Sequence, residues 1–191
     1  MIKAIDLCYQ IKDRTLFEGL TFELPSQGLV LIDGENGSGK TTLLMILACL
    51  LSPTSGSLFY DDVNMSEKSL QKARKRKETA IYLAPNGNLD PRLTVESNLL
   101  KYGVEDASKS PFHDRYPDSL SGGEIELVMS YLISHTDKKC VFMDEGLLYL
   151  DEENQSETLV SLKKASENKL IVLASPRELA LPFTRVIKIG E

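Results

Sequence analysis

The chain alternates short apolar runs with longer stretches whose apolar residues recur every three or four positions. Residues 20–24 alternate apolar and polar with period two and predict a half-buried strand. Pro25-Ser26-Gln27-Gly28 supplies a turn, and Leu29-Val30-Leu31-Ile32 is a continuous apolar run of the kind that forms a strand buried on both faces. Residues 41–51 are apolar all round, which predicts a buried helix, with the Met and Leu side chains of 43–51 assigned to the core. Pro53-Thr54-Ser55-Gly56 ends it, and residues 57–60 begin another strand. Three further short runs, 80–83, 140–143 and 170–174, predict central strands. Between them, Ile125, Val128, Met129, Leu132 and Ile133 line one face of a helix over 124–134, and a weaker amphipathic pattern covers 153–168. Strands alternating with helices predict an α/β fold with a parallel sheet covered on both faces. Residues 101–119 are polar, contain two prolines and are expected to be irregular.

Composition narrows the class. A chain of 191 residues with 42% hydrophobic and 26% charged residues is the size and make-up of one globular domain. Its 22 basic against 28 acidic residues leave a net charge of −6, so no nucleic-acid partner is expected on bulk electrostatics. The basic run Lys72-Ala73-Arg74-Lys75-Arg76-Lys77 reads as a solvated face. No apolar run approaches the ~18 residues that span a bilayer, and the first residues lack the layout of a secretory signal. Cys8, Cys49 and Cys140 lie far apart in apolar stretches, which argues against disulfides and zinc and for a reducing compartment. His113 and His135 stand alone and are assigned surface or helix-end roles. The expectation is a cytoplasmic protein.

Two segments carry chemistry. Gly34-Glu35-Asn36-Gly37-Ser38-Gly39-Lys40-Thr41 fits G-x-x-x-x-G-K-[ST] between a strand and a helix. The glycines let the backbone turn so that successive N–H groups face phosphate oxygens, and the helix adds its positive end. Lys40 offers a cation for the β- and γ-phosphates, and the Thr41 hydroxyl is placed for Mg2+. Residues 140–143 run into Asp144-Glu145, two acids at the carboxyl end of a buried strand, where parallel sheets bind their ligands. There Asp144 would hold Mg2+ through its water shell and Glu145 would polarise an attacking water. Together the two segments predict a nucleotide site, with the acid pair as its candidate catalytic group.

Leu120-Ser121-Gly122-Gly123-Glu124 opens the 124–134 helix about twenty residues before those acids. With it, almost the whole chain resembles the nucleotide-binding domain of the ATP-binding-cassette (ABC) superfamily. The phosphate loop is then Walker A, 140–145 is Walker B, and 120–124 is similar to the signature motif. Residues 53–56, the stretch Thr94-Val95-Glu96-Ser97-Asn98-Leu99 and a D-loop-like 144–151 have counterparts in the family. The resemblance implies a P-loop NTPase fold over 1–191, with an N-terminal antiparallel β subdomain and a shortened helical insertion at about 95–125. It also implies that Gly34, Asn36, Gly37, Ser38, Gly39, Lys40, Thr41 and Thr42 hold ATP, with Lys40 and Glu145 catalytic and Thr41 and Asp144 on Mg2+. Tyr9 falls where the family stacks an aromatic on adenine. Ser121, Gly122 and Gly123 form a nest that caps the γ-phosphate held by a partner chain, so that two chains, identical or not, sandwich ATP head to tail.

Departures from the family pattern qualify the activity. Pro85, or Asn86 if one residue is skipped, stands in place of the usual glutamine, Ser175 in place of the histidine, and Glu124 in place of the signature glutamine. Gly146, Leu148 and Tyr149 alter the D-loop, where Leu150 and Asp151 remain. The resemblance implies an ATPase subunit of a transporter, docked on an integral-membrane permease at the inner face of the cell membrane, with slow hydrolysis by the isolated chain. The short insertion implies a small or unusual docking partner, or none. A soluble ABC ATPase without a transport role and a catalytically degenerate regulatory subunit are the alternatives.

Overall fold

A computed structural model describes residues 1–61, 63–65, 79–84, 89–144, 152–175 and 183–190, and for 152–157 the backbone alone. Strand β1 (Ile2–Ile11) and strand β2 (Arg14–Leu24) form a hairpin. With β4 (Ser55–Tyr60) and β5 (Val63–Asn64) they make an antiparallel sheet in the order β2-β1-β4-β5. A second, wholly parallel sheet runs β6 (Ala80–Leu83), β7 (Cys140–Asp144), β8 (Leu170–Ser175), β3 (Gly28–Asp33), β9 (Arg185–Lys188). The α/β expectation, with a separate antiparallel β unit on the N-terminal side, holds.

Alternation along the parallel strands divides the core in two. Val30, Ile32, Phe142, Val172 and Ala174 face α1 (Lys40–Leu47) and the antiparallel sheet. Val141, Met143, Ile171 and Leu173 face the opposite way. There they meet α2 (Val95–Lys101), α3 (Gly122–His135) and α4 (Glu152–Ser166). Helix α1 therefore lies between two sheets, which is why it has no polar face. Both faces of the parallel sheet are covered, so its strands read as unbroken apolar runs.

The structure moves some boundaries. Helix α1 stops at Leu47, four residues before the sequence pattern ends, and Cys49 turns the chain at a φ of 58°. Leu50 consequently points outward at 45% exposure and is not core. Strand β9 gives little signal in the sequence, since among its four residues only Ile187 is buried.

The insertion is short and tied down by polar groups. Thr94 caps α2 by accepting from the Ser97 amide. Asn98, 1% exposed, donates through Nδ2 to the carbonyls of Asp90, Leu93 and Thr94 and accepts from the Asp90 amide. That asparagine thus locks a turn and leaves no polar atom for a ligand. Residues 101–119 hold two single 3-10 turns, Ala107–Lys109 and Pro117–Ser119, in the region expected to be irregular. Beyond α3, the buried Lys169 ammonium donates to the carbonyls of Ile133 and Thr136, ending the helix with a cation at its negative pole. Among the described residues, no helix is long and apolar enough to cross a membrane.

Candidate functional site: a phosphate loop facing a buried carboxylate

The register of the parallel sheet assembles the site. Asp144 at the end of β7 lies opposite Ala174, and Ser175 beside it lies opposite Asp33, where β3 gives way to the phosphate loop. Two strand spacings put Asp144 about 10 Å from the end of β3. The loop then leaves the sheet and enters α1.

Within the loop, Gly37 and Gly39 have φ of 81° and 100°, conformations that an L side chain resists. A Cβ at Gly39 would sit 3.2 Å from the Phe17 ring and 3.3 Å from Leu16. Gly39 is also the N-cap of α1, and no side chain caps that helix. The first-turn N–H groups, Lys40, Thr41 and Thr42 among them, have no intrahelical acceptors and point toward the loop's concavity. Lys40 is 6% exposed, and its ammonium donates to the carbonyls of Gly34 (2.7 Å) and Glu35 (2.8 Å). The cation is folded into the loop, in the place that phosphate oxygens would share. Asn36 is exposed, and the buried Ser38 hydroxyl has no partner among the described residues. From outside, Arg14 of β2 donates to the Gly37 carbonyl at 3.0 Å, a brace with no motif to announce it.

Asp144 is 3% exposed. Its Oδ2 accepts from the Tyr82 hydroxyl at 3.2 Å, and its Oδ1 has no hydrogen-bond partner among the described residues. Burial, reinforced by the neighbouring Asp144 charge, pushes the Tyr82 phenol up to about 12, so it stays a neutral donor at physiological pH. A buried carboxylate oxygen without a donor is costly unless a cation or its water shell completes it. A carboxylate oxygen such as Asp144 Oδ1 is the kind of donor that a divalent ion of the Mg2+ type prefers.

Tyr9 is half-buried on β1, opposite Phe17 in register, with ring centroids 6.4 Å apart. Since Phe17 presses on Gly39, Tyr9 stands one ring removed from the loop. The signature residues lie elsewhere, at the start of α3. There Ser121 is the N-cap and forms a capping box with Glu124: the Glu124 amide donates to Ser121 Oγ, and the Ser121 amide donates to Glu124 Oε2 at 2.7 Å. The other carboxylate oxygen meets Arg115 at 2.9 Å, and Arg115 also donates to the Ser119 carbonyl. These bonds hold the Glu124 carboxyl below the usual range, the Ser121 backbone bond being the largest cause. The Glu124 carboxylate thus sits at the Ser121 amide with the Arg115 cation beside it. Gly122 and Gly123 open the helix at its positive end.

Comparison with known proteins gives the family. The sequence profile described as "ABC transporter" matches residues 17–147, more than half of the chain. The chain belongs to the ABC transporter family. Among its relatives is a Staphylococcus aureus (strain MRSA252) protein named as a hemin import ATP-binding protein, HrtA, 28% identical over 95% of this chain and 91% of the relative. The same-named protein of strain Newman is 27% identical with the same coverage. In fold, the chain is similar to the ATP-binding cassette MJ0796 in a dimeric post-hydrolysis state bound to ADP and Pi (TM-score 0.85, 21% identity, 100% of this chain and 94% of that one). A second dimeric structure of MJ0796, a bacterial ABC transporter cassette, gives a TM-score of 0.86 at 22% identity, over 99% and 94% of the two chains.

As an ABC cassette, the chain is an ATP hydrolase and the ATP-binding subunit type of its family. Several sequence expectations for the cassette, namely Glu145, Pro85, Asn86, residues 146–151 and the basic run 72–77, lie outside the described residues. Ser175, in the family's histidine position, is 1% exposed at the end of β8, between the strands that carry Asp144 and the phosphate loop. Tyr82 and Arg14 escaped the sequence reading. The cue for Tyr82 was a tyrosine in an otherwise aliphatic strand beside an acid-tipped one.

Proposed function

We propose that this chain binds MgATP at the phosphate loop, dimerises head to tail on it, and couples binding and slow hydrolysis to a separate membrane permease. The observation that carries the reading is the pairing of a buried, inward-folded Lys40 with a buried Asp144 whose Oδ1 lacks a donor among the described residues. When ATP enters, Lys40 exchanges two neutral carbonyls for phosphate oxygens, a stronger charge-assisted contact. The N–H groups at the start of α1 take further phosphate oxygens, and Gly34, Asn36, Gly37, Ser38 and Gly39 shape the cradle. Thr41 and Asp144 hold Mg2+, which when bound neutralises phosphate charge. Tyr9 packs on the adenine from the β1 side. Glu145 orients and polarises the attacking water.

Across the dimer, Ser121, Gly122 and Gly123 present the start of α3 to the γ-phosphate on the partner. The Arg115 cation paired with Glu124 offsets part of the negative charge that glutamate brings to that helix end. The partner is a second copy or another ABC chain. The relatives' naming as hemin import ATP-binding proteins supports a transport role, with the chain held at the cytoplasmic face of the membrane through its permease.

Pro85 carries no amide for Mg2+ (Asn86, the alternative there, carries a shorter one than glutamine), and Ser175 offers a short hydroxyl in place of the longer histidine imidazole at the γ-phosphate. Loss of one such preorganised contact commonly costs ~10²–10³ in rate. From an ordinary turnover of about 10 per second, the isolated chain is expected at roughly 0.01–0.1 per second. Phosphate release by the purified chain checks this. A turnover of several per second, abolished by Glu145→Gln, would overturn the slow-hydrolysis reading.

A further inference from the structure

Tyr82 and Asp144 come from neighbouring parallel strands, β6 and β7, and the register decides how they meet. Tyr82 is paired with Phe142. Asp144 is two residues further along β7, so it leaves the sheet on the same face as Phe142. The gap along the strand is about 7 Å, which a tyrosine spans and a serine or threonine does not. The phenol ends 3.2 Å from Oδ2, and Asp144 offers its second oxygen, Oδ1, with no donor among the described residues.

We propose that Tyr82 is a positioning residue for Asp144, fixing Oδ2 so that Oδ1 is turned toward the Mg2+ that accompanies ATP, and thereby setting the metal affinity of this cassette. The inference rests on the reading that the loop binds MgATP. A carboxylate at the end of a strand can rotate about its last bond, and in a buried setting each orientation costs one unsatisfied oxygen. A neutral donor of fixed length removes that freedom. It leaves the full negative charge for the metal, which a cationic partner would have cancelled. Outer partners of this kind commonly control metal affinity by 10–100-fold.

The test is titration of a fluorescent ATP analogue into wild type, Tyr82→Phe and Asp144→Asn, each in Mg2+ and in EDTA. Parallel titrations with Mn2+ count bound metal by its paramagnetic signal. Tyr82→Phe keeps the ring and loses the donor, so its affinity in EDTA is expected within about two-fold of wild type, which also reports an intact fold. In metal, it is expected to lose roughly ten-fold of the gain that wild type shows, and to bind Mn2+ correspondingly less tightly. Should Tyr82→Phe keep the full metal-dependent gain while Asp144→Asn loses it, the role of Tyr82 is refuted and the nucleotide reading stands. A wild-type chain with no metal-dependent gain would overturn both.

Discussion

Gly39 shows how much the phosphate loop asks of single positions. Its φ of 100° strains any side chain, and the Phe17 ring 3.2 Å from a would-be Cβ would have to give way. Gly39→Ala therefore bends the backbone that presents Lys40, whose ammonium must reach the same space as the phosphates. The strain is about 1–2 kcal/mol, and for a chain of this size the melting temperature falls by about 2–4 °C per kcal/mol. Nucleotide affinity is expected to drop by at least about ten-fold, equivalent to about 1.4 kcal/mol. Thermal melting and ATP titration of this variant check both. The loop was legible in the sequence because backbone geometry dictates its residue types. Asp144 was legible as an acid ending an apolar strand. Tyr82 was not, because its partner is 62 positions away and only strand register brings the two together.

At the scale of elements, the start of α3 joins stability to the proposed recognition of a partner's nucleotide. The capping box fixes where the helix begins, and the Arg115 bond takes up the charge that glutamate brings to the signature. Since the Glu124 carboxyl is held below its ordinary value of 4.5, its contribution to stability is present above that pH and is lost as pH falls through the depressed value. Glu124→Gln keeps a capping box and lacks the ion pair. Wild type should therefore melt above the variant at neutral pH, with the gap closing below pH 4.5. Melting curves across that range decide, and a gap that persists or widens in acid contradicts the assignment. Periodicity revealed α3 and α4 because each buries one stripe, and it revealed β3, β7 and β8 because they are buried on both faces. It overextended α1 past Leu47, since apolar residues continue where a left-handed Cys49 has already turned the chain. It missed β9, an edge strand whose position comes from pairing with β3.

At the scale of the molecule, two sheets clamp α1 so that a loop with little regular structure of its own is held at the ends of rigid strands. In the proposed head-to-tail dimer, each chain would bring a loop for its own nucleotide and, at the start of α3, a nest for the nucleotide of the other chain. Half of each site would then come from the partner. The direct test is the mass of the Glu145→Gln chain in solution by sedimentation, without nucleotide and with saturating MgATP. The 21.3 kDa chain should double in mass with MgATP and remain single without it, and adding Lys40→Ala should abolish the change. A chain that binds MgATP and stays monomeric across the micromolar range, or that dimerises equally without nucleotide, would contradict the account.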